Sequence, residues 1–217
     1  MVGEVGLDKA FRIPNPPPAI QDGQLRPKNS DLQTPVRHQL AIVKAQIKVA
    51  VRLKRHVSLH CVRAAGETVA LLGWCKKELS EFERIHVCLH SFGGSPESAI
   101  QIQKNHCNVY FSFSTAISGR SPRFFDLMRS IEAHRLLVES DYSDSSKLDE
   151  QASLVWQVFS AMAQAREWSH EHLASLLEGN WTSFLRVDDV PEDAHLTKKQ
   201  RKIQQKIRAI ESTIGDA

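Results

Sequence analysis

The chain is short of the features that would take it out of the ordinary globular class. It has four cysteines, Cys61, Cys75, Cys88 and Cys107, and no two of them form a C-x-x-C pair. At least three lie in apolar, strand-like surroundings, so reduced and buried thiols in a cytoplasmic or nuclear protein are expected. No apolar run approaches the roughly 18 residues of a membrane span, and no signal-peptide pattern stands at the start. Charge of one sign is also scarce: the net charge is +3, which excludes a molecule-wide field of the nucleic-acid-binding kind and leaves any useful basic character local. What is present, 41% hydrophobic and 24% charged residues over 217 positions, suits one sizeable core rather than two domains.

The pattern along the chain alternates strand and helix. Residues 2–7 read as a strand. Residues 9–33 then form a polar loop carrying Pro14, Pro16, Pro17, Pro18 and Pro27, long enough to be a lid, a binding loop or a disordered insertion. Apolar residues at 36, 40, 43, 47, 50 and 51 mark a helical stripe. Further strands are expected at 56–61, 85–90, 107–113 and 136–139. Helices are expected around 66–79, after Ser95-Pro96-Glu97 (an N-cap followed by proline at the first turn), over 121–130, and throughout 149–185. The four tryptophans fall along helices and are expected in the core or in helix packing. The fold class is therefore α/β: a partial TIM-type barrel of about five parallel βα units over residues 1–190, with the first units missing. A closed barrel would need about three more units. On that reading the chain alone is expected to be poorly soluble or self-associating. Residues 191–217 are expected to form a basic amphipathic C-terminal helix or tail. Residues 198–208 hold six basic side chains and no acid, while Leu196, Ile203, Ile207, Ile210 and Ile214 keep a heptad-like spacing. A solvated helix, a partner-binding helix and a nucleic-acid or nuclear-targeting patch all remain open for that tail.

Four residues of metal-ligand type, Glu4, His60, His90 and Asp141, each close a short strand-like segment. Alternation along a strand puts His56, Ser58 and His60 on one face, and His86, Cys88 and His90 on another. At the C-terminal rim of a parallel array these residues would converge. Two imidazoles with one or two carboxylates suit zinc, manganese or a similar divalent ion. A zinc site of Cys88, His90 and His60 is the competing arrangement. Gly93-Gly94-Ser95 fits either a phosphate-binding helix start or a tight βα turn. Arg120 and Arg123 fit backbone contacts to a nucleic acid or plain solvation.

Gly-Glu-Val-Gly-Leu-Asp (3–8), Leu-His-Cys-Val-Arg-Ala (59–64), Leu-His-Ser-Phe-Gly-Gly-Ser (89–95) and Leu-Leu-Val-Glu-Ser-Asp (136–141) resemble, in this order, the successive motifs of the TatD family of metal-dependent deoxyribonucleases. Glu178-Gly179-Asn180 is similar to the family's late helix, so the resemblance covers about residues 2–185. The Val-Arg-Ala-Ala-Gly form after His60 is similar to the fungal branch, with relatives known as partners of the anaphase-promoting complex. The resemblance implies a TIM-type barrel that hydrolyses phosphodiesters of DNA through a metal-activated water. It also implies divalent ions (zinc, magnesium or manganese), two in the family and one retained here. By the same resemblance Glu4, His60, His90 and Asp141 are metal ligands, Glu4 and Asp141 are catalytic, and Glu139 and Arg63 are supporting or substrate-side groups. The implied partner is DNA or another phosphodiester; a protein partner through the C-terminal helix is a separate expectation from the tail's spacing.

The departures from the family pattern bear on activity. The family's first-strand His-x-His pair has no counterpart upstream of Glu4, where the chain reads Met1-Val2-Gly3. Val62 stands where the family has arginine, and Arg63 comes one position late, on the other strand face unless the backbone has already turned. Ser140-Asp141-Tyr142-Ser143 lacks the proline of the family's Thr-Asp-x-Pro. A catalytically impaired scaffold that serves as a protein-interaction partner is therefore the alternative to the nuclease.

Overall fold

A computed structural model of the chain describes residues 1–14, 30–115, 118–142 and 148–186. The basic tail expected over 191–217 and the middle of the proline-rich loop lie outside these residues. Five strands, β1 (Val2–Asp8), β2 (Val57–Val62), β3 (Val87–Leu89), β4 (Val109–Phe113) and β5 (Leu136–Val138), form one parallel sheet in sequence order. Helices α1 (Val36–Arg52), α2 (Ala65–Glu78), α3 (Pro96–Asn105), α4 (Phe124–Ser130), α5 (Leu148–Arg166) and α6 (His170–Leu185) follow the strands, the last two in succession after β5. Order and parallel sense are those the sequence predicts, because each strand must cross over a helix to return in the same direction.

Alternation divides the sheet into two faces. Val5, Leu7, Val57, Leu59, Val87, Leu89, Val109, Phe111, Phe113 and Leu136 pack against the helices in one core. From α1 that core takes Val43, Ile47 and Ala50, the buried members of the predicted stripe. Trimming one of its fully buried large residues to alanine costs about 2–5 kcal/mol. The opposite face carries the polar and site residues, with a small apolar floor of Cys88, Tyr110 and Leu137 covered by Phe184 from α6. Asn180 fixes α6 there, its amide donating to the carbonyls of Ala133 and Leu136, each at 2.8 Å.

Several expectations are corrected. Residues 149–185 are two helices, because Glu167 adopts a left-handed conformation and Ser169 caps a new start by accepting the His172 N–H. β4 begins at Val109, so Cys107 precedes it and is exposed rather than buried. Trp74 and Trp168 pack on the core. Trp156 and Trp181 are 57% and 49% exposed and lie outside the core, but Trp156 stacks on Phe159 and meets His170 of α6, and Trp181 stacks on Phe184, which is the helix packing the sequence predicts. Ser95 caps α3 by accepting the Ser98 N–H, with Pro96 in the first turn, as the sequence predicts.

Candidate metal centre

The polar face of the sheet delivers its side chains to the C-terminal ends of the strands. β1 pairs with β2 through Gly6 opposite His60, and its register slips by a residue between Val2 and Val5, where Glu4 sits. Such a bulge re-aims the side chain it carries. A β-carbon on Gly6 would lie 2.0 Å from the His60 carbonyl oxygen, so only glycine lets β1 come this close to the histidine. Gly6→Ala is accordingly expected to cost about 3 kcal/mol, roughly 6–12 °C in melting temperature, checked by thermal denaturation.

Glu4 Oε1 stands 2.6 Å from His60 Nδ1 and 3.4 Å from His90 Nε2. One ligand atom from each of these three residues lies within 4.8 Å of the others, and among the described residues this is the group able to hold a metal ion. Ligands about 2.1 Å from a tetrahedral ion stand about 3.4 Å apart, so the donor set fits a divalent cation with little rearrangement. Asp141 joins from beyond β5, Oδ1 lying 3.0 Å from His90 Nε2. It touches His90 without being one of the three-donor group. Cys88, the competing third donor, is buried instead, its thiol donating to Ser112 Oγ at 3.3 Å. Burial pushes that thiol up to about 12, which opposes the thiolate a metal requires.

A second layer fixes the rings. Glu139 Oε2 bonds His90 Nδ1, and its Oε1 accepts the Ser91 N–H at 2.6 Å and the Ser112 hydroxyl. Holding one ring nitrogen leaves the other, Nε2, at the centre, the usual arrangement behind a metal-binding histidine. Burial would lower the His90 pKa, but the Glu139 hydrogen bond and the charges of Glu139, Glu4 and Asp141 outweigh it and raise it to about 9. Burial likewise works to raise Glu139, and its bonds from His90 and Ser112 prevail and hold it low. Ser112 is 4% exposed and its hydroxyl is the only side-chain donor besides His90 bonded to this carboxylate among the described residues. Ser112→Ala is expected to weaken metal binding about ten-fold, read by titration calorimetry.

Asp8 plays the corresponding part for His60, with Oδ2 3.5 Å from Nε2. Sequence reasoning passed over it, although the signal was there: four residues after Glu4 in a strand, it shares Glu4's face. Its Oδ1 accepts the N–H groups of Ala10 (2.7 Å) and Phe11 (2.9 Å), closing the turn that leaves β1. Three residues at the rim, Arg63, Ser91 and Asp141, have φ of 52°, 42° and 55°. Left-handed conformations in non-glycine residues gather where a site constrains the backbone. For Arg63 the turn answers the question of strand face: β2 has ended at Val62 and the chain has already turned. Arg123, by contrast, is paired with Glu97 at 2.7 Å on the surface.

A parallel α/β array with an acid and two imidazoles converging at its C-terminal rim defines a candidate metal-dependent hydrolase. The chain belongs to the TatD-related DNase family, whose pattern it matches over residues 1–186. It is 32% identical over 213 residues to the Cut9-interacting protein scn1 of Schizosaccharomyces pombe, an alignment covering 86% of this chain and 62% of that protein. It is 30% identical over 174 residues to an uncharacterized deoxyribonuclease of Saccharomyces cerevisiae, covering 77% of this chain and 54% of that one. In fold it is similar to the crystal structure of a TatD homolog from Escherichia coli. The TM-score is 0.59 at 18% identity, over 84% of this chain and 62% of the other. The chain thus spans between about half and two thirds of the length of these relatives.

Proposed function

We propose that the chain is a divalent-metal-dependent phosphodiesterase acting on DNA, with Glu4, His60 and His90 holding one ion and Asp141 as general base. The observation that supports this most is the gathering of one donor atom each from Glu4, His60 and His90 within 4.8 Å of one another, with Glu139 behind one ring and Asp8 behind the other. Two imidazoles and a carboxylate favour zinc or manganese over magnesium, which prefers oxygen. When bound, such an ion polarises a phosphoryl oxygen and makes a water acidic near neutrality. The chain's own residues orient and accept. Glu4 stands between the two rings, and Glu139 keeps His90 Nε2 turned inward. Asp141, exposed beside His90, accepts the proton of the attacking water. Arg63, exposed on its left-handed turn three residues after His60, offers a guanidinium to the phosphate. DNA as the substrate rests on the family and on the relative named as a deoxyribonuclease. The reduced cysteines suit a cytoplasmic or nuclear location, and among the described residues no helix is long and apolar enough to cross a membrane.

A second reading, a scaffold that binds a protein partner without turnover, is favoured by the relative named for its interaction with Cut9. One experiment separates the two. The chain is stripped with a chelator and reloaded with Zn²⁺, Mn²⁺ or Mg²⁺, then assayed on labelled DNA and on a small phosphodiester. Hydrolysis returning with the metal supports the phosphodiesterase. Metal rebinding with neither substrate cleaved favours the scaffold.

A further inference from the structure

A pocket of about 390 Å³ opens from the metal-centre residues Glu4 and His60 and runs outward to Phe11, Thr34 and Gln39. This is within the size range of small-ligand pockets and suits one nucleotide unit rather than a duplex. Phe11 is 51% exposed and no part of the core, so packing does not account for a large aromatic ring at this place. Its position is nevertheless fixed. The Phe11 N–H is held by Asp8 Oδ1, while the other oxygen of the same carboxylate faces His60 Nε2. Beyond it the segment is clipped to the far side of the loop, where Ile13 donates to the Leu32 carbonyl and Ser30 to the Ile13 carbonyl, both at 3.0 Å. One carboxylate therefore sets both the candidate ligand His60 and the ring that forms the pocket's outer wall.

The polar wall is already committed. Gln39 Oε1 accepts the Asp8 N–H at 2.7 Å, and its amide nitrogen donates to the carbonyls of Asp8 and Thr34, each at 2.9 Å. With its amide protons spent on the backbone, Gln39 is not available to read the edge of a base. What the pocket offers is an aromatic face, and every base has a π-face to lay on it. We propose that Phe11 is the platform on which the base next to the scissile phosphodiester stacks, giving recognition of an unpaired nucleotide without regard to which base it is. The proposal deepens the phosphodiesterase reading and rests on it for the position of the phosphate.

The test uses the full chain with a single-stranded oligonucleotide carrying 2-aminopurine, whose fluorescence falls on stacking, and a second oligonucleotide abasic at the cleaved nucleotide. Wild type and Phe11→Tyr should quench the probe and prefer the base-bearing strand. Phe11→Ala should lose the quench and raise KM for that strand about ten- to hundred-fold, with kcat little changed. KM for the abasic strand should stay where it was. Equal quenching by wild type and Phe11→Ala, or an equal rise in KM on both strands, overturns the proposal. If no strand is cleaved, the phosphodiesterase reading fails, and the quench, which needs no turnover, still decides whether Phe11 stacks a base.

Discussion

Asp141→Asn is expected to lower kcat for phosphodiester hydrolysis by about 10²–10⁴-fold while leaving metal content unchanged. The reasoning is geometric. Asp141 contacts the centre through His90 Nε2 at 3.0 Å but does not belong to the three-donor group, so on the proposed reading its loss removes a proton acceptor without removing a ligand. The side chain lies at the open rim, and asparagine keeps its size while losing its basicity. Parallel measurement of kcat and of bound metal by elemental analysis checks the prediction. A proportional loss of metal and rate would make Asp141 a ligand instead of a base.

His90→Ala should abolish metal binding near neutral pH, a loss of at least hundred-fold in affinity. The substitution removes one of three donors and also frees Glu139 from the ring it orients. The pH dependence of the wild type adds a second signature. With its pKa raised to about 9, His90 in the metal-free chain holds a proton that a metal must displace. Apparent affinity should therefore climb as pH rises toward 9, by up to about ten-fold per unit, with one proton released on binding. The stability of the metal-free chain runs the other way. A folded-state pKa above the ordinary 6.5 contributes stability that is complete below 6.5 and is lost as pH rises through about 9. Calorimetric titrations at pH 6, 7.5 and 9, with melting curves at the same values, check both. A pH-independent affinity would mean that His90 is not the displaced group.

The strands were legible because short apolar segments between helical stripes declare them, and their parallel order followed from the helices between. Glu4, His60, His90 and Asp141 were legible because their strand-like segments bring them toward one rim of a parallel array, although only His90 and Asp141 follow a strand end, while Glu4 and His60 lie within β1 and β2. The face of Asp8 follows from its spacing to Glu4, but its meeting with His60 depends on the register of β1 against β2, which no single strand declares. The orienting bond from Glu139 to His90 joins residues 49 positions apart, and its partner Ser112 sits in a third strand that carries no motif. The strand face of Arg63 is not legible in the sequence, because a backbone turn at one residue has no periodic signature. Cys107 departs for the opposite reason: apolar character suggests burial, but its position ahead of β4 leaves it exposed.

The most direct test of the site is anomalous diffraction from crystals of the chain soaked in Mn²⁺ or Zn²⁺. A single peak is expected about 2.0–2.2 Å from Glu4 Oε1, His60 Nδ1 and His90 Nε2. No peak among these atoms, or a peak on the sulfur of Cys88, would contradict the assignment of the metal centre.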